Sequence, residues 1–386
     1  LRLLDRYEVN MLGLWPTTGA MTIETIKDLV VYPYTFRDRK FQGGFEERDI
    51  TELARIPGET SFRDQPLQFG VPAVKKMSGK FLFAGPVWNH FGHILTDSLH
   101  RLWPLVNQES AYDGIVFLSV TNLRVPKDGH IRMPQLAIDL LRLMGVPSDL
   151  PIHFITEPTQ IELLDIPEVG CSTKAGLKES YRPYLKHYQS IIAQKTSHIA
   201  AKMPEKVFYS RSHALGDGGV IGLQYFEEKL KKQGYVSIIP EEMTLRLQFA
   251  VAMHAKSIIF EEGSALHITD LLNNFGAHAF MMRRRAKAID FERALRPRAA
   301  AFLNLVSGSN VVQLPDRNGN MGVASLAMYL RPEEINERML SLDLDVGSFD
   351  AKTYYEIERV NLMRAPAGNA DIKNARTARW FEIRGL

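Results

Sequence analysis

Polar side chains that can move a proton follow the strand candidate at 80–84. The apolar residues of 91–103 have helical spacing, and the opposite face carries a polar set: Asn89, His93, Asp97, His100 and Arg101. Histidine exchanges protons near neutral pH, and a carboxylate one helical turn away can orient it and raise its basicity. The pattern predicts that His93 is a general base for a hydroxyl group, or that it orients Asp97. The alternative is an ordinary helix whose histidines pack or contact solvent by chance.

A metal site is the weaker interpretation of the same residues. His93 and Asp97 are both of types that bind zinc. However, the chain has a single cysteine, Cys171, and no His-Glu-x-x-His pattern that would add a further ligand. We therefore expect a site without a tightly bound divalent ion.

The second informative segment, at 257–273, has the pattern of a strand, a tight turn and a helix. An apolar run at 258–260 stops at Glu261-Glu262-Gly263-Ser264, and helical spacing follows. Glycine permits a tight turn, serine commonly caps a helix, and the free N–H groups of a helix start bind anions at the carboxyl end of a sheet. We interpret the turn at Gly263 and Ser264, with the free N–H groups of the helix start that follows, as an anion site. An ordinary strand–helix joint is the alternative.

An arginine follows the strand candidate at 207–210. Arg211 comes directly after Ser210, and an arginine at the carboxyl edge of a sheet can hold a phosphate through two parallel hydrogen bonds. Arginines flank many strands, so an ordinary surface position is the alternative. The run Arg283-Arg284-Arg285 could add positive charge at the mouth of this site, but we interpret it as a solvated turn.

The elements that must position these residues alternate between strands and helices. Residues 1–75 contain five prolines, and we predict an irregular segment with short strands there. Further strands are predicted at 80–84, 115–120, 152–155, 161–164, 207–210, 235–239, 257–260, 278–282 and 311–314. Helices are predicted at 91–103, 133–144, 181–202, 222–233, 244–255, 265–273, 321–330 and 332–340. In the second half the alternation predicts a parallel sheet with helices on both faces. The last forty or so residues are weakly periodic, with Trp380 and Phe381 as docking anchors.

Composition and charge exclude several classes of protein. A chain of 386 residues is longer than a single hydrophobic core usually supports, so we expect two domains. A content of 45% apolar and 24% charged residues is typical of a soluble globular protein. A net charge of +3 is too small to indicate nucleic-acid binding, although a pI of 8.7 fits anionic substrates or a membrane surface. The single cysteine excludes an intramolecular disulfide framework and fits a reducing compartment. No window reaches the roughly 18 apolar residues of a membrane-spanning helix. The chain begins at Leu1 rather than Met, so a removed signal or anchor stays open.

In chain order, these segments resemble glycosyltransferase family 61, which contains capsular-polysaccharide-type bacterial enzymes and eukaryotic xylosyl- and N-acetylglucosaminyltransferases. The resemblance covers about residues 80–285. The matching positions are Asn89, His93 and Asp97 in the first helix, Ser210-Arg211 after a strand, Gly234-Tyr235 and Pro240-Glu241 around the next strand, Gln248 in the following helix, and the turn Glu262-Gly263-Ser264-Ala265-Leu266. Many members have His-Gly-Ala-Gly at this turn. A carboxylate there is unfavourable beside a diphosphate unless it points at sugar or ribose hydroxyls.

The resemblance implies an α/β protein of the GT-B architecture, with two Rossmann-like domains that face a cleft. We expect an acceptor-side domain at 1–200, a nucleotide-sugar-binding domain at 201–345, and a tail at 346–386 that packs back on the body. The implied reaction is an inverting, metal-independent sugar transfer to a glycan acceptor in surface or capsular polysaccharide synthesis. The expected donor is a UDP-linked sugar, and we expect no other cofactor and no nucleic-acid partner. The expected location is the cytoplasm, with peripheral association at the inner membrane face.

The resemblance also assigns roles to residues. His93, Asp97 and Asn89 are the expected catalytic residues on the acceptor side. Arg211 and the turn from Glu262 to Leu266 are expected to hold the donor diphosphate. In an inverting reaction the base lies opposite the leaving group, so the two sets are expected on opposing walls.

Two other functions stay open at this point. One is a polysaccharide pyruvyl transferase on a similar frame. The other is a non-catalytic glycan- or nucleotide-binding protein, in which Glu262 marks a donor site that has lost its function.

Overall fold

The computed structural model describes residues 20–37, 40–49, 51–56, 62–107, 111–120, 131–172, 176–287 and 291–385. The chain forms two compact units. The first comprises Leu1–Gln194, Asp270–Asn273 and Asp290–Pro297, and the second comprises Lys195–Thr269, Asn274–Ile289 and Arg298–Leu386. The predicted domain boundaries and the GT-B arrangement stay predictions.

The first unit is built on a seven-stranded sheet. Its strands are β1 (Ile23–Arg37), β2 (Lys40–Glu46), β3 (Asp64–Leu67), β4 (Lys75–Val87), β5 (Gly114–Ser119), β6 (Ile152–Ile155) and β7 (Thr159–Pro167), followed by the short pair β8 (Cys171–Ser172) and β9 (Gly176–Leu177). The order is β3-β2-β1-β7-β4-β5-β6. Strands β7, β4, β5 and β6 run parallel, whereas β1 is antiparallel to β2 and β7. The α/β class is confirmed, but this mixed sheet differs from the Rossmann-like sheet that the resemblance implied.

Strand β1 shows that the prediction of an irregular segment with only short strands was wrong. It spans 15 residues, and Leu29 and Val31 point into the core. Pro33 lies within it, at the register shift between Tyr32 and Thr35 in the pairing with β2. A proline is tolerated at such an irregularity because no ladder hydrogen bond is required from its nitrogen. The proline therefore did not mark the end of a strand.

Four other strands of this sheet, β4 to β7, were predicted at 80–84, 115–120, 152–155 and 161–164, although β4 and β7 are longer than predicted. Strands β2 and β3 lie in the segment for which no individual strand was predicted. All six residues of β5 are buried, which is typical of a parallel strand covered on both sides. The helices of the unit are α1 (Phe91–His93), α2 (Gln135–Met144) and α3 (Arg182–Ala200). The last two confirm the predicted helices at 133–144 and 181–202. The predicted helix at 91–103 is instead one α-helical turn followed by a π-helical turn at Ile94–Ser98 and 3-10 segments at Leu99–Arg101 and Trp103–Asn107.

The second unit contains the parallel sheet that the strand–helix alternation predicted. The remaining strands are β10 (Lys206–Tyr209), β11 (Val236–Ile238), β12 (Ser257–Glu261), β13 (His278–Met282), β14 (Ala301–Asn304), β15 (Val311–Leu314) and β16 (Leu326–Tyr329). The remaining helices are α4 (Leu223–Lys232), α5 (Leu245–His254), α6 (Phe291–Leu295), α7 (Pro332–Leu340), α8 (Ala351–Arg364) and α9 (Ala370–Arg384), of which α6 lies in a segment of the first unit. Five parallel strands form the sheet in the order β11-β10-β12-β13-β14.

This strand order has a direct consequence for ligand binding. Strands β10 and β12 are neighbours, while the strand between them in the chain, β11, lies on the outer side of β10. The connections therefore leave β10 and β12 in opposite directions across the sheet. Open α/β sheets bind ligands in the crevice at the carboxyl ends of such a pair, the topological switch point.

Two predictions for the C-terminal part need correction. The predicted helix at 321–330 is wrong, because Leu326–Tyr329 forms strand β16, antiparallel to β15. All four residues of β16 are buried, and a short apolar run cannot be assigned to strand or helix by periodicity. In the tail, Trp380 is buried and its Nε1 donates to Glu358 at 2.7 Å, whereas Phe381 is exposed. Only Trp380 is an anchor. No helix in the described parts of the chain has the length and apolar character needed to cross a membrane.

Candidate functional site

His93 and Asp97 are in direct contact in the first unit. His93 Nδ1 lies 2.9 Å from Asp97 Oδ2. The intervening chain passes from α1 into the π-helical turn, a rare geometry that is frequent at functional sites. The sequence spacing of four residues therefore did bring the two side chains together, although not on a regular α-helix.

Asp97 is buried and yet held in its charged form. Its Oδ1 accepts hydrogen bonds from Arg63 Nη2 at 3.0 Å and from the Thr96 hydroxyl at 2.9 Å. Burial would raise the pKa of Asp97, but the charge of Arg63 and the hydrogen bonds from His93 and Thr96 hold this pKa well below its usual range. A carboxylate of such low basicity is a poor proton acceptor. The geometry therefore favours His93 as the base and Asp97 as the residue that orients it.

His93 is the accessible member of the pair. About 40% of its side chain is exposed, and its ring lies against Trp88 at a centroid distance of 4.6 Å. The contact with Asp97 assigns the proton of the neutral imidazole to Nδ1, so the lone pair lies on Nε2. Nε2 is the atom that can accept a proton from a bound hydroxyl group.

Arg63 is the partner that sequence reasoning missed. It lies 34 positions before Asp97, in the segment that was predicted to be irregular. No periodicity connects two residues at that separation. Only the need of a buried carboxylate for a cation could have indicated such a partner.

Asn89 does not join the pair in the predicted way. It is exposed and lies in a bend before α1 begins at Phe91. It is therefore not one helical turn below His93, as the helical wheel predicted. Its catalytic role stays a prediction.

His100 and Arg101 were predicted to share a polar face with His93, and this prediction was wrong. His100 is buried, with Nδ1 3.1 Å from the Tyr181 hydroxyl. Arg101 is buried and donates to the backbone carbonyls of Leu53, Arg55 and Pro167. The helical wheel fails here because the pitch changes from α to π to 3-10 between residues 91 and 101. Both side chains hold the fold together.

A second group of residues lies at the switch point of the second unit. Arg211 follows β10 and Gly263 follows β12, and a Cβ on Gly263 would lie 3.1 Å from Arg211 Cδ and 3.5 Å from its Nε. Arg211 Nη2 donates to the carbonyl of Asp217 at 2.7 Å. Its Nε is buried and has no hydrogen-bond partner within the described parts of the chain. Arg211 and the turn at Gly263 were predicted separately from the sequence, and in the structure they are in contact.

The turn itself differs from the prediction. Gly263 does not adopt a left-handed backbone conformation, and its lack of a side chain matters because Arg211 packs against it. The chain from Ser264 to Leu271 is a 3-10 helix rather than an α-helix. Ser264 and Ala265 are partly exposed at its start, whereas Leu266 belongs to the core. The prediction that an α-helix begins at this turn was therefore wrong. The backbone N–H groups at the turn belong to the start of a 3-10 segment.

Glu262 is used inside the protein. Its Oε2 accepts hydrogen bonds from the backbone N–H of Arg284 at 3.0 Å and of Arg285 at 3.3 Å, and its Oε1 lies 3.1 Å from Arg285 Nη1. The residue is 1% exposed. The carboxylate binds the backbone after β13, and its charge is balanced by Arg285. Glu262, which stands where many family members have a histidine, therefore makes a structural contact.

The interpretation of Arg283-Arg284-Arg285 as a solvated turn was wrong. Arg284 is buried, and its Nε and Nη1 donate to the carbonyls of Glu262 and Val323 at 2.7 and 2.8 Å. Burial lowers the pKa of Arg284 to about 10, with a further contribution from the neighbouring charges of Arg285 and Arg211. The turn therefore adds buried positive charge near the switch point.

Glu261 is the second residue that sequence reasoning missed. It is fully buried, its Oε2 accepts from the backbone N–H of Arg211 at 2.9 Å, and its Oε1 has no hydrogen-bond partner among the described residues. Burial raises the pKa of Glu261 to about 7, against the charges of Arg211 and Arg284. The predicted strand ended at residue 260, whereas β12 continues to Glu261, so this carboxyl belongs to the strand end at the switch point.

Within the described ranges, no three His, Cys, Asp or Glu side chains are grouped in a way that could hold a metal ion. The His93–Asp97 pair and the group around Arg211 offer functional groups other than metal ligands. One offers an oriented imidazole, and the other offers guanidinium groups beside a glycine turn. Metal independence stays a prediction.

Residues 91–274 match the family model described as Glycosyltransferase 61. The matched range contains the His93–Asp97 pair and the whole stretch from Arg211 to Leu266. A search of curated proteins found no match.

Proposed function

We propose that this chain is a glycosyltransferase of family 61, as the match over residues 91–274 supports, and that it transfers a sugar, with inversion, from a nucleotide-sugar donor to a glycan acceptor. The family match supports a sugar donor and an acceptor as the substrates. The remaining parts are our proposal: a UDP-linked donor, a metal-independent reaction, and a place in surface or capsular polysaccharide synthesis in the cytoplasm.

The single observation that carries the donor site is the guanidinium of Arg211 beside Gly263 at the switch point. A buried donor without a partner, such as Arg211 Nε, costs about 1–3 kcal/mol. A diphosphate oxygen would supply the missing acceptor through a charge-assisted hydrogen bond. Because residue 263 has no side chain, the arginine and the backbone both remain close to the place where such a ligand would bind.

On the acceptor side, we assign the base to His93. Nε2 takes the proton of the acceptor hydroxyl while its oxygen forms a bond to the anomeric carbon. The bond from that carbon to the diphosphate oxygen breaks, and the electron pair leaves with the nucleoside diphosphate. The Asp97 carboxylate, 2.9 Å away, stabilises the imidazolium that forms. Arg211 stabilises the charge that develops on the leaving group.

The test combines binding and turnover. UDP, GDP, CDP and their sugars are screened by thermal shift, since a ligand at 100 times its Kd stabilises by about 2.7 kcal/mol. Arg211→Ala should weaken nucleotide binding by at least about tenfold, because it removes a charge-assisted contact. His93→Ala should bind the nucleotide as well as wild type and release no diphosphate from the sugar nucleotide with a panel of oligosaccharide acceptors.

The matched control is Arg364→Ala, which removes an exposed arginine on α8 and should bind and react as wild type. Stabilisation by phosphoenolpyruvate in place of nucleotides would indicate a pyruvyl transferase. Nucleotide binding with no turnover in wild type would indicate the non-catalytic binding protein. Equal affinity in Arg211→Ala and wild type would locate the donor site elsewhere.

A further inference from the structure

An exposed apolar loop lies immediately before β4, at the opposite end of that strand from the segment that carries His93. Phe69 is 92% exposed, Val71 is 59% exposed and Val74 is 71% exposed. Pro72 is also exposed in the same loop. Single apolar residues on a protein surface are ordinary, but three large ones within six positions form a patch that favours an interaction.

The loop is held in place by the first unit. The Tyr32 hydroxyl donates to Glu46 Oε1 at 2.8 Å and lies 3.1 Å from the carbonyl oxygen of Val71. The N–H groups of Val74 and Lys75 donate to the carbonyl of Pro158 at 2.9 and 3.3 Å. Gly70 lies so close to Tyr32 that a Cβ there would be 2.1 Å from the hydroxyl oxygen. The apolar side chains are therefore presented to solvent by a fixed backbone, and a partner would not have to order the loop.

Two exposed lysines follow the patch, and the carboxylate that packs against Gly70, Glu46, is mostly buried and paired with Arg48 at 2.8 Å. Lys75 and Lys76 follow Val74 and are both exposed, and the segment 68–76 contains no acidic residue. The exposed acid next to the anchoring Pro158 is Glu157. Within the loop, apolar side chains and lysines therefore adjoin without a carboxylate between them.

We propose that the loop 69–74, with the first two residues of β4, docks on a membrane surface that contains anionic phospholipid, with Phe69, Val71 and Val74 at the boundary between headgroups and acyl chains. Lys75 and Lys76 then contact the lipid phosphates. A stable contact with a second protein copy needs about 800 Å² on each partner. One phenylalanine, which buries about 150–250 Å², and two valines offer far less, whereas insertion into a membrane surface requires only a few side chains. This docking does not depend on the proposed donor site.

The first test is co-sedimentation of the full chain with vesicles of phosphatidylcholine, with and without phosphatidylglycerol. The wild type should bind the anionic vesicles, and binding should weaken as salt is added. Phe69→Ser should weaken binding by at least about tenfold, because it removes the largest apolar side chain from the contact. The matched control is Phe381→Ser, the same change at an exposed phenylalanine in α9, and it should bind as wild type.

A second readout locates the contact directly. The single cysteine, Cys171, is buried, so a polarity-sensitive dye attached to Phe69→Cys labels one accessible site. Its emission should shift to the blue when anionic vesicles are added, and the dye on Phe381→Cys should not respond. Wild type that binds no vesicles, or Phe69→Ser that binds as well as wild type, would overturn the proposal. A concentration-dependent dimer that Phe69→Ser abolishes, without vesicle binding, would assign the patch to a second copy instead.

Discussion

The side chain of Arg211 packs against the backbone of Gly263, with Cδ 3.1 Å from the position that a Cβ of residue 263 would occupy. The two residues follow neighbouring parallel strands, β10 and β12. Their contact is so close that a side chain at residue 263 would push Arg211 aside by a few tenths of an ångström. The position of Arg211 and the identity of residue 263 are therefore physically linked.

We predict that Gly263→Ala weakens nucleotide binding by about tenfold without unfolding the protein. Carbon atoms in favourable contact lie about 3.5–4.0 Å apart, so a methyl group at 3.1 Å must displace Arg211. Isothermal titration calorimetry with UDP measures the effect. In the control Gly322→Ala, the new Cβ meets nothing within 4 Å, and the affinity should not change. Equal affinity in both variants would show that Arg211 does not contact the nucleotide.

Glu261 predicts a pH-dependent stability. The pKa of its carboxyl is about 7 in the folded protein against 4.5 for an unperturbed group, so folding takes up a proton between these values. The folded protein therefore favours the protonated carboxyl of Glu261. The contribution of this carboxyl to the free energy of unfolding is fully present below pH 4.5, and it is lost as the pH rises through 7. Glu261→Gln stays neutral, so relative to wild type it should gain stability of the order of 3 kcal/mol between pH 4.5 and pH 8. Urea unfolding at both pH values measures the gain.

The matched control is Glu356→Gln, the same change at an exposed position of α8, and its stability relative to wild type should not vary with pH. We also expect the affinity of the wild type for UDP to fall above pH 7, because an ionised Glu261 repels the diphosphate. Glu261→Gln should remove that part of the decrease. A pH-independent difference between Glu261→Gln and wild type would contradict a raised pKa.

Glu262→Gln should lower the affinities for UDP and for a UDP-sugar by the same factor. The change weakens the contact with Arg285 and the two backbone N–H groups that now hold the end of β13, so its effect reaches the ligand through the position of the arginines. Calorimetry with both ligands provides the comparison. A selective loss for the UDP-sugar would instead mean that the carboxylate contacts the donor sugar, and tighter binding of both would mean that it repels phosphate.

Asp97→Asn should lower stability at neutral pH by about 1–3 kcal/mol, because it leaves Arg63 and His93 without their charged partner. The pKa of Asp97 is held below its usual range, so its contribution is present above about pH 4 and is lost as the pH falls further. The difference from wild type should therefore shrink in acid. The control is Asp139→Asn at an exposed position of α2. Equal destabilisation at pH 7 and at pH 3 would contradict this account.

The spacing of residues in the sequence was sufficient to predict part of the site and part of the fold. His93 and Asp97 are four residues apart, and any near-helical backbone brings such a pair together, even when its pitch changes. The parallel sheet of the second unit could likewise be predicted, because β10, β12 and β13 are short apolar runs separated by segments with helical spacing in the sequence. These features depend on neighbours in the chain.

Sequence alone determined the residue types, their local periodicity and the resemblance to a family that the match over residues 91–274 supports. Only the tertiary structure decided which charge meets which partner: Arg63 with Asp97, Arg285 with Glu262, and Arg211 with the backbone of Gly263. It also decided that Glu261 lies at the end of β12 in a buried position, which raises its pKa. Such contacts join residues far apart in the chain, and burial and electrostatic pairing depend on how strands are ordered in the sheet, which no local pattern encodes.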